Sequence, residues 1–296
     1  MDSRKPRARI EVLPSDRHPY VGLTAGFATK HRKVPLVRPD FHATLSMEIL
    51  EVPFDTDTLG TFSGETPRPG TALETAYAKA RIAADANENG LGLGSEGTIG
   101  PSASIPFVIS DIEIVAFVDD RRGLRIAEHA VSHDIRTIAL TVEPHAEFRS
   151  KLAAAGFPDH GVIVKPADGA MVPLHKGLHD FERVRSAVRV CAIASSDGRA
   201  RIESDLRADH CPSRRPAITA AARRLALRLR ERCPSCETPG WGVVRAERGV
   251  PCSLCGEMVD IVAREILGCG ACNEHRPAAK PLMTNADPSR CPRCNP

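Results

Sequence analysis

Eight of the ten cysteines form four Cys-x-x-Cys pairs in the last 64 residues of the chain. Two residues between the cysteines allow a tight turn that directs both sulfurs at one cation, and two such turns complete a tetrahedral shell of four thiolates. Because thiolates then fill every position, no place remains for water or substrate, and we expect two structural zinc ions. The predicted zinc ligands are Cys233, Cys236, Cys252, Cys255, Cys269, Cys272, Cys291 and Cys294.

The order in which the four pairs combine is open at this point. Sequential pairing encloses fifteen and eighteen residues between pairs, whereas interleaved pairing needs loops of more than thirty. Since the entropy cost of closure grows with loop length, we favour two successive zinc ribbons. Redox or disulfide pairs are the alternative, and thiols kept reduced in the cytoplasm argue against them. Cys191 and Cys211 stand outside the pattern, and we expect both to be small buried or neutral residues.

A second segment whose residues could take part in chemistry is GLGLGSEGTIGP, residues 90–101, where five glycines surround one carboxylate, Glu96. Glycine lets the backbone approach a ligand closely, so the pattern predicts a short strand that runs into a site. A flexible turn with a solvated glutamate is the alternative reading.

Length and composition limit the classes of protein. The 296 residues, 42% of them hydrophobic, suffice for one sizeable core and a smaller module, and a net charge of +3 does not identify a polyanion partner. No apolar run approaches the ~18 residues that cross a bilayer. The basic N-terminus lacks the apolar stretch of a signal peptide, so we expect a cytoplasmic protein without a membrane partner.

Alternating strand-like and helical segments predict an α/β domain over residues 10–205, built on a mixed sheet flanked by helices. The turn DDRRG, residues 119–123, predicts a hairpin inside that sheet. The predicted strands are 20–29, 47–54, 113–120, 124–132, 137–142 and 160–166, and the predicted helices are 72–87, 143–156 and 179–194.

Residues 206–232 are expected to link this domain to the double four-cysteine zinc-ribbon module at 233–296. Apolar residues at three- and four-residue spacing predict an amphipathic helix from Pro216, with its arginines mainly on the solvated side. The zinc module itself carries seven basic and seven acidic residues and one aromatic residue, Trp241, so nucleic acid is a possible but not a favoured partner.

Most of the chain resembles a bacterial family known only as a domain of unknown function. That resemblance implies no activity. The segments that carry it are DTDTLGTFSGE at 55–65, ATKH at 28–31, GSEGTIGP at 94–101, GFPDHGVIVKP at 156–166 and ESDLRADHCPSRRP at 203–216.

A second resemblance covers residues 20–100. ETAYAKAR, residues 74–81, is similar to a helix of the inosine triphosphate pyrophosphatase family, which hydrolyses non-standard nucleoside triphosphates with Mg²⁺. The resemblance implies an inosine triphosphate pyrophosphatase-like fold and catalytic roles for Glu74, Lys79 and Glu96. ATKHRK is similar to the phosphate-binding turn of that family, with Lys33 one residue early, and PSRRPAI to its Ser-His-Arg segment. The implied phosphate-binding residues are Thr29, His31, Lys33 and Arg215.

This chemistry is physically coherent. Glu74 and Glu96 could share Mg²⁺, which neutralises triphosphate charge and positions water, while the basic residues meet phosphate oxygens. The segment ESDLRADH supplies Asp205, Arg207 and His210, either as a salt-bridged surface loop or as a cover over the same site.

Two classes of function therefore remain at this point. One is a Mg²⁺-dependent nucleotide pyrophosphatase or phosphohydrolase. The other is a non-enzymatic adaptor or ligand-binding protein whose zinc ribbons dock to a protein or nucleic acid; the protein partner is not identified.

Overall fold

The computed structural model describes residues 18–102 and 105–296, so positions 10–17 of the predicted α/β domain lie outside the described residues. The described residues form three sheets and five α-helices. The strands are β1 (Thr24–Ala28), β2 (Glu48–Val52), β3 (Leu91–Pro101), β4 (Ile109–Asp119), β5 (Leu124–Ser132), β6 (Ala139–Val142), β7 (Val162–Pro166), β8 (His175–Leu178), β9 (Ala200–Ser204), β10 (Gly242–Pro251), β11 (Met258–Gly268) and β12 (His275–Pro277). The helices are α1 (Val34–Leu45), α2 (Ala72–Asp85), α3 (Arg149–Ala154), α4 (Phe181–Ala194) and α5 (Arg215–Arg230).

The first sheet is mixed, as predicted, with the strand order β2-β1-β3-β4-β5. β1 runs parallel to β2 and β3, because α1 and α2 act as crossover connections, while β3, β4 and β5 form antiparallel pairs. The predicted hairpin turn is present, since Asp119 pairs with Leu124 across it. The carboxyl ends of β1 and β2 therefore meet at one edge of the sheet, where open α/β sheets bind ligands.

Helices α1 and α5 pack on one face of this sheet. The side chains of Phe41, Phe117 and Leu225 meet in one hydrophobic core and are fully buried. The predicted amphipathic helix is confirmed at 215–230, and its apolar residues lie in that same core. The domain boundaries at 205 and 232 stay predictions, but α5 does more than connect two modules, because it covers the first sheet.

Helix α2 packs on the opposite face, and this contact explains two of the glycines in β3. A Cβ atom at Gly92 would overlap the backbone of Ala80 and Ala84, and one at Gly94 would overlap the backbone of Ala76 and Ala80. The glycines therefore bring the helix backbone against the strand. This close packing also carries the side chains of α2 toward the end of the sheet.

Replacing Gly94 with Ala is expected to destabilise the protein by roughly 1–3 kcal/mol, the range for overpacking a close-packed interior. The added methyl group meets helix backbone, which cannot move aside as a flexible side chain can. Gly100→Ala is the matched control, because nothing lies within 4 Å of its Cβ position. Urea unfolding measures the difference, and equal midpoints for the two variants would refute the packing explanation.

The second sheet has the order β6-β9-β7-β8 and builds its own core with α3 and α4. Leu152, Val164 and Val184 are fully buried there. The region predicted as one α/β domain thus contains two sheets with separate cores. Three elements were not predicted: α1, whose pattern is interrupted by Pro39, and the short strands β8 and β9.

Within the described residues, no helix combines the length and apolar character needed to cross a membrane.

Candidate functional site

The eight paired cysteines form two separate four-sulfur clusters, each of which could hold a zinc ion. Four Sγ–Sγ distances within the clusters are 3.6 to 3.9 Å. A tetrahedron with Zn–S bonds of ~2.3 Å has an edge of about 3.8 Å, so the spacing fits this ion. The clusters are Cys233, Cys236, Cys269 and Cys272, and Cys252, Cys255, Cys291 and Cys294.

The expected sequential pairing is wrong, because the first pair combines with the third and the second with the fourth. The cause is the antiparallel hairpin of β10 and β11. Cys252 and Cys255 lie at its turn, whereas Cys236 precedes it and Cys269 follows it, so the first and third pairs meet at the open end. Loop entropy could not decide the order, since doubling a loop costs only about 0.6 kcal/mol.

The cluster at the open end of the hairpin adjoins the first sheet. The Glu231 carbonyl, just after α5, accepts hydrogen bonds from the backbone N–H groups of Gly240 and Trp241 (2.8 and 3.1 Å). The other cluster lies at the distal end of the hairpin.

A cleft opens at the carboxyl ends of β1 and β2. Five lysine and arginine side chains and His31 line it against two carboxylates, and the loop after β2 supplies most of the remaining wall. Such an excess of cations in a concave site favours an anionic ligand. The lining residues are His31, Lys33, Thr56, Asp57, Gly60, Thr61, Phe62, Ser63, Lys79, Glu96, Lys176, Arg207 and Arg214.

Glu96 is the buried carboxylate of this cleft, and only 7% of the residue is exposed. The Lys79 ammonium donates to its Oε2 at 2.5 Å and the Arg68 guanidinium to its Oε1 at 2.9 Å. The predicted pair of Glu96 and Lys79 is therefore in direct contact, which close packing of α2 on β3 makes possible.

Lys33 lies beside this pair and donates to the Ser95 hydroxyl at 3.0 Å. Burial lowers the pKa of Lys33 to about 8, although the charge of Glu113 opposes the shift. The side chain therefore remains mostly charged at neutral pH and can meet an anion.

Glu74 does not belong to the cleft. Its carboxylate accepts hydrogen bonds from the backbone N–H and the hydroxyl of Thr71, both at 2.8 Å, and caps the start of α2. The residue lines a different cavity, together with Tyr77 and Arg81. Because Glu74 occupies the first turn of the helix and Lys79 the second, only Lys79 reaches Glu96. The structure does not support a Mg²⁺ ion shared by Glu74 and Glu96.

The loop after β1 places His31 and Lys33 in the cleft but not Thr29. Thr29 is buried, and its hydroxyl accepts a hydrogen bond from the His31 backbone N–H at 3.4 Å. The His31 ring lies 3.5 Å from Asp57 on one side and 3.5 Å from Asp209 on the other. Burial opposes ionisation of Asp209, but His31 outweighs it and lowers the pKa of that carboxyl.

The loop after β9 brings Arg207 into the same cleft. Asp205 is fully buried and accepts hydrogen bonds from the Arg207 side chain and from the Gly177 backbone N–H, at 2.8 and 2.9 Å, so it fixes this loop on the second sheet. His210 instead contacts His179, with 2.8 Å between ring nitrogens. Both predicted roles of this loop therefore occur together. Arg207 lines the cleft, and Asp205 and His210 hold the loop in place.

Arg215 does not line the cleft, because its guanidinium donates to backbone carbonyls of Ala208 and Asp209. Its neighbour Arg214 does. Arg214 is 1% exposed, donates to Glu113 at 2.6 Å and stacks on the Phe62 ring, with 4.3 Å from its guanidinium carbon to the ring centroid. A Cβ at Gly97 would overlap this arginine, which explains a third glycine of β3.

Sequence reasoning missed several lining residues, namely Asp57, Phe62, Lys176 and Arg214. For Arg214 the only signal concerned its partner: the alternation of polar and apolar residues along β4 places Glu113, with Asp111, on the buried face with Phe117. Lys176 gave no signal, because it comes from the second sheet and contacts Glu65 at 2.5 Å only through the tertiary fold.

The fold and these sites define a mixed α/β protein with two four-cysteine clusters that could hold zinc. The chain belongs to the family described as a domain of unknown function, DUF6671, whose model matches residues 79–296. The matched part includes Glu96, Arg214 and all eight paired cysteines. No curated protein and no solved structure matches the chain.

Proposed function

We propose that the cleft binds the phosphate groups of a nucleotide and that the protein is a Mg²⁺-dependent nucleotide phosphohydrolase of the pyrophosphatase type. The observation that carries this proposal is the convergence of five basic side chains around the buried Glu96. Ion pairs at ~4 Å are worth about 4 kcal/mol at the effective dielectric constant near a protein surface, so several together favour a multiply charged ligand.

The cations come from different elements of the fold. Lys33 precedes α1, Lys79 lies on α2, and Lys176 and Arg207 come from the second sheet. A chain of phosphates has several charged groups in a row, and it would engage both sides of the cleft at once. Four of these cations already have a carboxylate partner, so a phosphate chain would have to share or displace those ion pairs, which involve Lys79, Lys176, Arg207 and Arg214.

The donor set fits a hard cation only in part. Within the described residues, the cysteine clusters are the only groups that bring three or more metal-ligating side chains together. Mg²⁺ commonly uses one or two carboxylates together with substrate phosphates, so Glu96 and Asp57 would hold an ion that arrives with the nucleotide. When bound, the ion would neutralise phosphate charge and polarise the phosphoryl group.

The residues of the chain supply the remaining steps of the proposed mechanism. Lys33 and Lys79 bind phosphate oxygens and stabilise charge that develops in the transition state. If Lys79 moved from Glu96 to a bound phosphate, the Glu96 carboxylate would be free to help hold the ion and to orient water. The stacked pair of Phe62 and Arg214 forms one wall of the site and excludes bulk water.

A second candidate is a binding protein without catalysis, with the zinc clusters as its docking module. One observation favours it: Glu96 is already neutralised by Lys79 and Arg68, which is how a purely structural carboxylate would be held. The balanced charge of the zinc module continues to disfavour nucleic acid as the docked partner.

Release of phosphate and pyrophosphate distinguishes the two candidates. Purified protein with Mg²⁺ is incubated with standard and deaminated nucleoside triphosphates, and both products are quantified. We expect metal-dependent pyrophosphate release from at least one triphosphate. Nucleotide binding without release of either product would favour the binding protein, and absence of nucleotide binding would contradict the phosphohydrolase.

A further inference from the structure

Two carboxyl groups lie directly behind the cleft. Asp111 and Glu113 are both 0% exposed, and two-residue spacing on β4 puts them on the same face of the first sheet. Both oxygens of Asp111 and one of Glu113 have no hydrogen-bond partner among the described residues. Buried carboxylates are normally paired or hydrogen-bonded, so this arrangement requires an explanation.

The surrounding charges compensate only one of the two carboxylates directly. Arg214 forms its ion pair with Glu113 at 2.6 Å, and no salt bridge of the described residues involves Asp111. The charged or titratable groups around Asp111 are Glu113, Arg214, Lys33 and Cys211, with Lys79 and Glu96 beyond Lys33. Two adjacent buried carboxyls cannot both ionise cheaply, and a single proton between them satisfies two of the three oxygens that lack partners.

We propose that Asp111 and Glu113 share one proton, and that this proton is coupled through Arg214 to the binding of anions in the cleft. The proposal rests on the proposed function only in that the cleft takes an anion; it does not require hydrolysis. Burial, followed by the charge of Glu113, raises the pKa of Asp111 to about 7, so the proton is exchanged near neutral pH.

Arg214 couples the shared proton to the cleft, because it pairs with Glu113 and also lines the cleft. With the shared proton in place, one carboxylate faces two cations, Arg214 and Lys33, and this wall of the cleft has a net charge of +1. Loss of the proton adds a second carboxylate and brings the net charge to zero. An anion therefore binds more tightly to the protonated form, and by linkage its binding raises the affinity for the proton by the same factor.

The sign of the pH dependence follows directly. Anion affinity falls as pH rises through the Asp111 pKa of about 7 and falls again as Lys33 loses its proton near 8. Asp111→Asn removes the first step and leaves the second, because the amide has the shape and neutrality of the protonated acid. The variant therefore separates the two groups.

Sulfate is the appropriate probe, since it stays a dianion throughout this range. Calorimetric titration of the full-length protein in two buffers of different ionisation enthalpy measures both affinity and protons taken up per sulfate. We expect proton uptake at pH 7 and an affinity loss of about 5-fold or more across the Asp111 titration, the lower end of usual coupling. The Asp111→Asn variant should bind sulfate with the affinity of the protonated wild type and should no longer take up the proton that Asp111 accepts. Asp134→Asn, an exposed carboxyl, is the matched control.

Infrared difference spectroscopy of the wild type gives a second readout that needs no variant. The carbonyl stretch of a protonated carboxylic acid should disappear as pH rises through about 7, and sulfate should shift this change to higher pH. Sulfate binding without proton uptake, or unchanged pH dependence in Asp111→Asn, would overturn the coupling and leave the phosphohydrolase proposal intact. Failure of sulfate to bind would contradict the anion site and this inference together.

Discussion

Glu96→Gln is expected to lower the rate of metal-dependent triphosphate hydrolysis at least ~100-fold, as removal of other groups that stabilise transition-state charge does. The amide fills the same space as the carboxylate, so the fold should be kept. It lacks the charge that would hold Mg²⁺ and leaves Lys79 and Arg68 without their common partner. Pyrophosphate release under saturating Mg²⁺ and nucleotide measures the loss.

Glu74→Gln is the matched comparison, because it makes the same chemical change at a carboxylate outside the cleft. Glu74 caps α2 and is fully exposed, and glutamine can also serve in a capping box, so we expect an unchanged rate. An equal loss of rate in both variants would contradict the placement of Glu74 outside the cleft. Full activity of Glu96→Gln would remove Glu96 from the chemistry altogether.

The double variant Cys291→Ser and Cys294→Ser is expected to retain one zinc ion per chain, whereas we expect two in the wild type. Metal binding is coupled to folding in small zinc modules, so the distal end of the hairpin should unfold. The first sheet should remain folded, because the other cluster adjoins it and keeps all four cysteines. Native mass spectrometry measures the stoichiometry, and hydrogen exchange locates the unfolded segment.

Alkylation of the same variant tests the pairing order. Interleaved pairing predicts that Cys252 and Cys255 become reactive, since they lose their partners. Sequential pairing would instead expose Cys269 and Cys272. Reaction of the latter two alone, or a wild type without bound zinc, would contradict the arrangement of the clusters.

Features encoded in short segments could be predicted from the sequence. The Cys-x-x-Cys spacing identified the eight cysteines of the two clusters but not their pairing. The apolar spacing in α5 identified the helix, and DDRRG identified the hairpin turn. Each depends on residues a few positions apart, where backbone geometry alone relates side chains. Helix α1 was not predicted, because Pro39 interrupts its helical pattern.

The composition of the cleft could be predicted only in part. The sequence placed Glu96 and Lys79 on a strand and a helix adjacent in the chain, but it did not predict the contact between them. Arg207 and Lys176 come from a second sheet whose docking no local pattern reveals. Arg214 lines the cleft and Arg215 does not, because only Arg214 lies on the side of the chain that meets Glu113 and Phe62. Contacts of this kind arise from tertiary packing.

A crystal structure with Mg²⁺ and a non-hydrolysable nucleoside triphosphate tests the central claim most directly. We predict phosphate groups in the cleft, within hydrogen-bond distance of Lys33 and Lys79, with Arg207 on the opposite side and Mg²⁺ between Glu96 and phosphate oxygens. A triphosphate bound elsewhere on the protein, or an empty cleft with Glu96 still held by Lys79 and Arg68, would contradict it.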